Sequence, residues 1–147
     1  MGYCVNMCPD ITIPKEKLQD ALDAINEIME PEVVNEHGGG ETARGGKTIA
    51  KFYSWVSTPP GNKFDDILTA FKEWRYPARL NDKGDLRCTQ FRGEKLGDDS
   101  LFFAVIAPYV KKGSEVTCEG EDGMHWRYFF NGKTMKEQNG RVTYDAD

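Results

Sequence analysis

Long apolar runs are missing from this chain. No stretch approaches the roughly 20 consecutive apolar residues that cross a bilayer, and the opening MGYCVNMCPD lacks the basic segment and apolar core of a secretory signal. The expectation is a cytoplasmic protein with no membrane association. Surplus positive charge is missing too: 19 Lys and Arg stand against 24 Asp and Glu, a formal charge of −5. That balance argues against direct DNA binding, which depends on neutralising phosphates. Histidine occurs only twice, in unrelated contexts, and no Gly-x-Ser-x-Gly nucleophile elbow is present; no catalytic residue is assigned. The four cysteines, Cys4, Cys8, Cys88 and Cys118, form no second paired cluster to complement Cys4-x3-Cys8. They read as reduced, small core residues, with no metal and no cofactor expected.

What is present suffices for one α+β domain over residues 1–147, since 147 residues with 39% hydrophobic content can bury a core. Apolar alternation predicts a strand over Tyr3 to Met7, ended by Pro9 and Asp10. Leu18, Ala21, Leu22, Ile25 and Ile28 recur at helical spacing and predict a helix from Pro14 to near Met29. Ile49 to Val56 is rich in β-formers and alternates, predicting a strand. Phe64, Ile67, Leu68, Phe71 and Trp74 mark a second helix that stops before Pro77. ARLNDKGDLRCTQF reads as a hairpin turning at Asn81 to Gly84. Ser100 and its preceding acidic pair open a third helix, LFFAVIAPYV, whose nearly all-round apolar surface predicts burial on two sides. The rest is predicted as strands over Glu115 to Glu119, Met124 to Phe130 and, more weakly, Arg141 to Tyr144. The order β-α-β-α-ββ-α-βββ implies an antiparallel or mixed sheet with about three helices packed on it.

Between the first helix and the second strand, residues 36–47 hold five of the chain's glycines and almost nothing apolar, predicting a flexible loop. Its Gly46-Lys47-Thr48 ending imitates a phosphate-binding P-loop, but Glu41 stands where the first glycine belongs and a strand follows instead of a helix. The other concentration of chemistry is CEGEDGMHWRYFFNGK, Cys118 to Lys133. Alternation sets Met124, Trp126, Tyr128 and Phe130 on one side as a core stripe, and His125, Arg127 and Phe129 on the other. Arg127 is then in reach of a cross-strand carboxylate, Glu119 or Glu115; as an exposed ion pair this is worth only ~0–1 kcal/mol and needs no functional role. The functional alternative makes Glu119, Glu121, Asp122, His125 and Arg127 a binding surface with aromatic rings at its edge. Cys118 and His125 are the one further pair that the pattern places near each other.

The opening MGY, the helix LQDALDAINEI, the run FRGEKLGDDSLFFAVIAPYV and the ending GEDGMHWRYFFNGK resemble a family of small proteins encoded by bacteriophages, conjugative elements and their bacterial hosts. The resemblance implies a setting, the cytoplasm of a host cell, and no mechanism. Small acidic proteins of mobile elements often inhibit host defence, so by analogy it implies a non-catalytic binding protein that engages a host protein, such as a defence nuclease or effector, through an acidic and aromatic surface. A nucleotide or other small anion, sequestered by Arg127, His125 and the glycine-rich loop, is the alternative ligand. A small hydrolase using Glu119 or Glu121 with His125 as acid and base ranks last.

Overall fold

A computed structural model of the chain describes residues 2–30, 32–34, 47–49, 53–56, 58, 62–141 and 143–144. Six strands form one antiparallel sheet in the order β4-β5-β1-β6-β7-β8: β1 Val5–Ile13, β4 Ala78–Leu80, β5 Leu86–Cys88, β6 Glu115–Gly120, β7 His125–Phe130 and β8 Met135–Asn139. A separate two-stranded ribbon pairs β2 Glu32–Val34 with β3 Lys47–Ile49. Three helices, α1 Leu18–Ile28, α2 Ile67–Glu73 and α3 Asp99–Ile106, complete an α+β fold.

The period-2 pattern decides which face of the sheet is covered. Along β1 Val5, Met7, Ile11 and Ile13 are buried while Asn6, Cys8 and Asp10 are exposed, and β6 repeats the alternation with Val116 and Cys118 buried. Those buried side chains join Ala21, Leu22 and Ile25 of α1, Phe71 of α2 and Phe102, Phe103 and Ile106 of α3 in one core. Aromatic contacts knit it together: Trp74 stacks on Phe102 at 4.9 Å, and Phe103 reaches Tyr128 and Phe130 of β7 at 4.9 and 6.1 Å. The opposite face of the sheet carries the polar side chains.

Several boundaries differ from the sequence reading. β1 does not stop at Pro9 but runs to Ile13. Val5 donates its N–H to Glu94 O on the β5 side of β1, so odd-numbered residues point their backbone groups that way. Strand β5 pairs only with Ile11 to Ile13, so among the described residues Pro9 faces no neighbouring strand on that side and its missing N–H costs no ladder bond. Of the strand expected over Ile49 to Val56, Ile49 ends β3 and residues 50–52 lie outside the described residues, while Tyr53 to Val56 form a turn in which Trp55 has φ 69 and Val56 N bonds Tyr53 O. α2 begins at Ile67, not near Phe64, because Asp66 caps it by accepting from Thr69 N at 2.8 Å. Those bonds from Thr69 hold the Asp66 carboxyl below the usual carboxylate range. α3 starts at Asp99 and its burial is one-sided, with Phe102, Phe103 and Ile106 inward and Leu101 at 39% exposure. Pro108 then shifts the chain into a 3-10 turn, Ala107–Tyr109.

The last strand is Met135–Asn139 and not Arg141 to Tyr144; Arg141, Thr143 and Tyr144 carry no strand. The Asn131 side chain accepts from Lys133 N and Thr134 N, and Gly132 takes φ 94, which fixes a tight turn and pairs Phe130 with Met135. Met124 falls just outside β7 and is 55% exposed, so the core stripe shortens to Tyr128 and Phe130, with Trp126 half-buried. Residues 36–46 of the expected glycine-rich loop lie outside the described residues, and Lys47 opens β3.

Candidate functional site

The antiparallel register lines up side chains in rows across the open face of the sheet. One row runs Asn6, Glu119, His125; the next Cys8, Thr117, Arg127, Gln138; the third Asp10, Glu115, Phe129, Lys136. Arg127 sits opposite Thr117 and diagonal to both Glu115 and Glu119. It leans to Glu115, with Nη1 3.6 Å from Oε1, donates Nε–H to Gln138 Oε1 at 2.7 Å, and lies over the Phe129 ring at 4.8 Å. His125 Nε2 stands 4.0 Å from Glu119 Oε1. Cys118 pairs with Trp126 and faces the core, so the suspected Cys118 and His125 pair is divided by the sheet itself.

Glu119, His125 and Arg127 do not converge on one concavity. The His125 and Glu119 pair is a divide between two. On one side a concavity of about 350 Å³ is lined by Cys4, Val5, Asn6, Gly93, Glu94, Glu119, Gly120 and Glu121. On the other a groove of about 580 Å³ takes His125, Arg127, Gln138 and Arg141 among its lining. Among the described residues, the first has three carboxylates and no cation in its lining; the second has cations and no carboxylate. Among the same residues no group of three or more His, Cys, Asp or Glu is placed to hold a metal ion.

Asp122 and Glu121 have structural partners. The Tyr3 hydroxyl donates to Asp122 Oδ1, and Cys4 N donates to Glu121 Oε1 at 3.1 Å. The hydrogen bond to Asp122 pushes the Tyr3 phenol up to about 12 and holds the Asp122 carboxyl below its usual range. Backbone bonds tie the same corner: Val5 N to Glu94 O at 2.9 Å, Leu96 N to Tyr3 O at 2.7 Å and Glu121 N to Cys4 O at 3.0 Å. The segments MGY, FRGEKLG and GEDG with Trp126 therefore meet in space, with the Tyr3 ring 6.3 Å from Trp126. Beside the acidic concavity, Lys95 turns its ammonium to Cys4 Sγ at 3.0 Å, and that bond raises the Lys95 pKa.

The sequence reading missed the support beneath this corner. Asp99, only 2% exposed, was read as part of a helix N-terminus. Its carboxylate accepts two bonds from Arg75 Nη2 at 3.1 Å, one from Tyr76 Oη at 2.6 Å and one from Gly97 N at 2.7 Å. Burial and the adjacent Asp99 charge push the Tyr76 phenol well above its ordinary value, so it serves as a neutral donor. Arg75 Nη1 donates to Lys95 O at 2.7 Å, and its guanidinium lies between the Trp55 and Phe91 rings. A sequence signal was the pair Gly93 and Gly97: a Cβ on Gly93 would meet Phe91 Cζ at 2.7 Å and Arg75 Nη1 at 2.8 Å, and one on Gly97 would meet Trp55 Cδ1 at 2.6 Å and Arg75 Nη2 at 3.2 Å. No family model, curated protein or solved structure matches the chain.

Proposed function

We propose that the chain is a non-catalytic binding protein that receives a basic segment of a protein partner in the acidic concavity beside Tyr3. The carrying observation is that Glu94, Glu119 and Glu121, from two distant parts of the chain, line one concavity, with the ammonium of Lys95 bonded to Cys4 Sγ at its wall. Glu94 and Glu119 are exposed, so a guanidinium or ammonium can be met without burying an unpaired charge first. The family resemblance supplies the setting: a host protein, such as a defence nuclease or effector, whose basic surface ordinarily meets nucleic acid. An acidic domain of this kind associates faster at low salt.

Capture of partners from bacterial lysate by the tagged chain tests the reading. Wild type and His125→Ala are expected to retain the same specific partner, with capture falling as salt rises. The double variant Glu94→Lys, Glu119→Lys is expected to lose it while keeping its circular dichroism spectrum. Charge reversal at Asp122 is a poorer probe, because Asp122 also holds Tyr3. Equal capture by wild type and the double variant overturns the reading, and so does the absence of any specific partner.

A further inference from the structure

We propose that the groove on the other side of the His125 and Glu119 divide is a binding site for a small phosphomonoester, separate from the acidic concavity. In a chain with a formal charge of −5, this groove of about 580 Å³ has Arg127, Arg141 and His125 in its lining and, among the described residues, no Asp or Glu. Its volume lies within the range of small-molecule sites, ~300–1,000 Å³, and exceeds what a bare phosphate ion needs. The polar amides of Gln138 and Asn139 and the Thr117 residue in the same lining suit a ligand with a hydrogen-bonding organic body.

The local structure brings both arginines to the one groove. The hairpin register sets Arg127 opposite Gln138, whose Oε1 takes Nε–H at 2.7 Å and fixes the plane of the guanidinium. Glu115 is 3.6 Å from Nη1, beyond hydrogen-bond length. The terminal N–H groups of Arg127 therefore retain donors for a phosphate, which guanidinium matches in a bidentate fork. Past the end of β8, Gly140 N donates to His125 O at 2.8 Å, pinning the chain so that Arg141 enters the groove beside His125. Glu119 lies 4.0 Å from His125 on the ridge and lines the other concavity. The sign of the charge thus reverses across one residue pair, and a phosphate fits only the Arg127 side.

Amide-resolved NMR titration with adenosine monophosphate as the probe, and adenosine and inorganic phosphate as comparison arms, tests the site. Saturable shifts at Arg127, Gln138 and Gly140 are expected with the monophosphate and not with adenosine. Inorganic phosphate is expected to bind the same amides more weakly. Arg141→Ala, which changes an exposed residue past the last strand, is expected to weaken binding by about tenfold or more. Glu94→Lys, in the other concavity, is expected to leave it unchanged, so this result stands apart from the outcome of partner capture. The proposal is overturned if none of the four ribonucleoside monophosphates gives saturable shifts, if binding is undiminished in Arg141→Ala, or if inorganic phosphate binds as tightly as the monophosphate.

Discussion

Arg75 follows α2 with φ 77, the left-handed position where helices ordinarily recruit glycine. Tyr76 N bonds back to Phe71 O at 2.8 Å, closing the helix in the manner of a Schellman end. Holding a non-glycine residue there costs of order 1 kcal/mol. The side chain offsets that cost, because only this turn aims the guanidinium at Asp99 and Lys95 O while Trp55 and Phe91 cover its faces. Asp99 is 2% exposed and Arg75 12%, so removing one partner strands a charge. Asp99→Ala is expected to lower unfolding stability in urea by about 3–5 kcal/mol. Arg75→Ala combined with it is expected to cost less than the sum of the two single losses. Strict additivity would show that the two residues act separately.

The hairpin β6 to β7 and the N-terminal stretch before β1 depend on each other through one atom's worth of space. A Cβ on Gly120 would coincide with the Tyr3 hydroxyl, which is bonded to Asp122. Gly120→Ala is expected to destabilise wild type and to release the Tyr3 phenol from its elevated position near 12, as followed by tyrosine NMR. In a Tyr3→Ala background the same substitution is expected to be nearly neutral; an undiminished penalty there would place the strain elsewhere. Elements that bury one face were legible in the sequence, because burial writes period 2 into β6 and β7 and period 3.6 into α1. The alternation of β1 also continues through Ile11 and Ile13, yet proline at position 9 hides it, since whether a proline breaks a strand depends on which side its backbone faces. β8 was illegible because Met135–Asn139 is an edge strand of polar residues whose register comes from the Asn131 turn. The face holding His125 and Arg127 could be read from alternation. The division of that face between two concavities could not, because it depends on Glu94 and Arg141, which both lie outside the strands.

Over the whole molecule, helices cover one face of the sheet and leave the other polar, and the exposed side carries charge in separated patches. On the open face Arg87 is matched on the spot by Asp10 at 2.9 Å, while Arg127 only leans toward Glu115 at 3.6 Å. Such exposed pairs contribute little to stability, and they leave the three carboxylates of the acidic wall, Glu94, Glu119 and Glu121, with the Lys95 ammonium beside them, bonded to Cys4 Sγ. Placing a photo-reactive amino acid at position 6, where exposed Asn6 lines the same concavity, and in a second sample at position 136, on the open face beyond it, compares the two surfaces directly in bacterial lysate. A covalent partner adduct from position 6 and none from position 136 is the expected result. An adduct from position 136 alone, or from neither, would contradict partner binding at the acidic concavity.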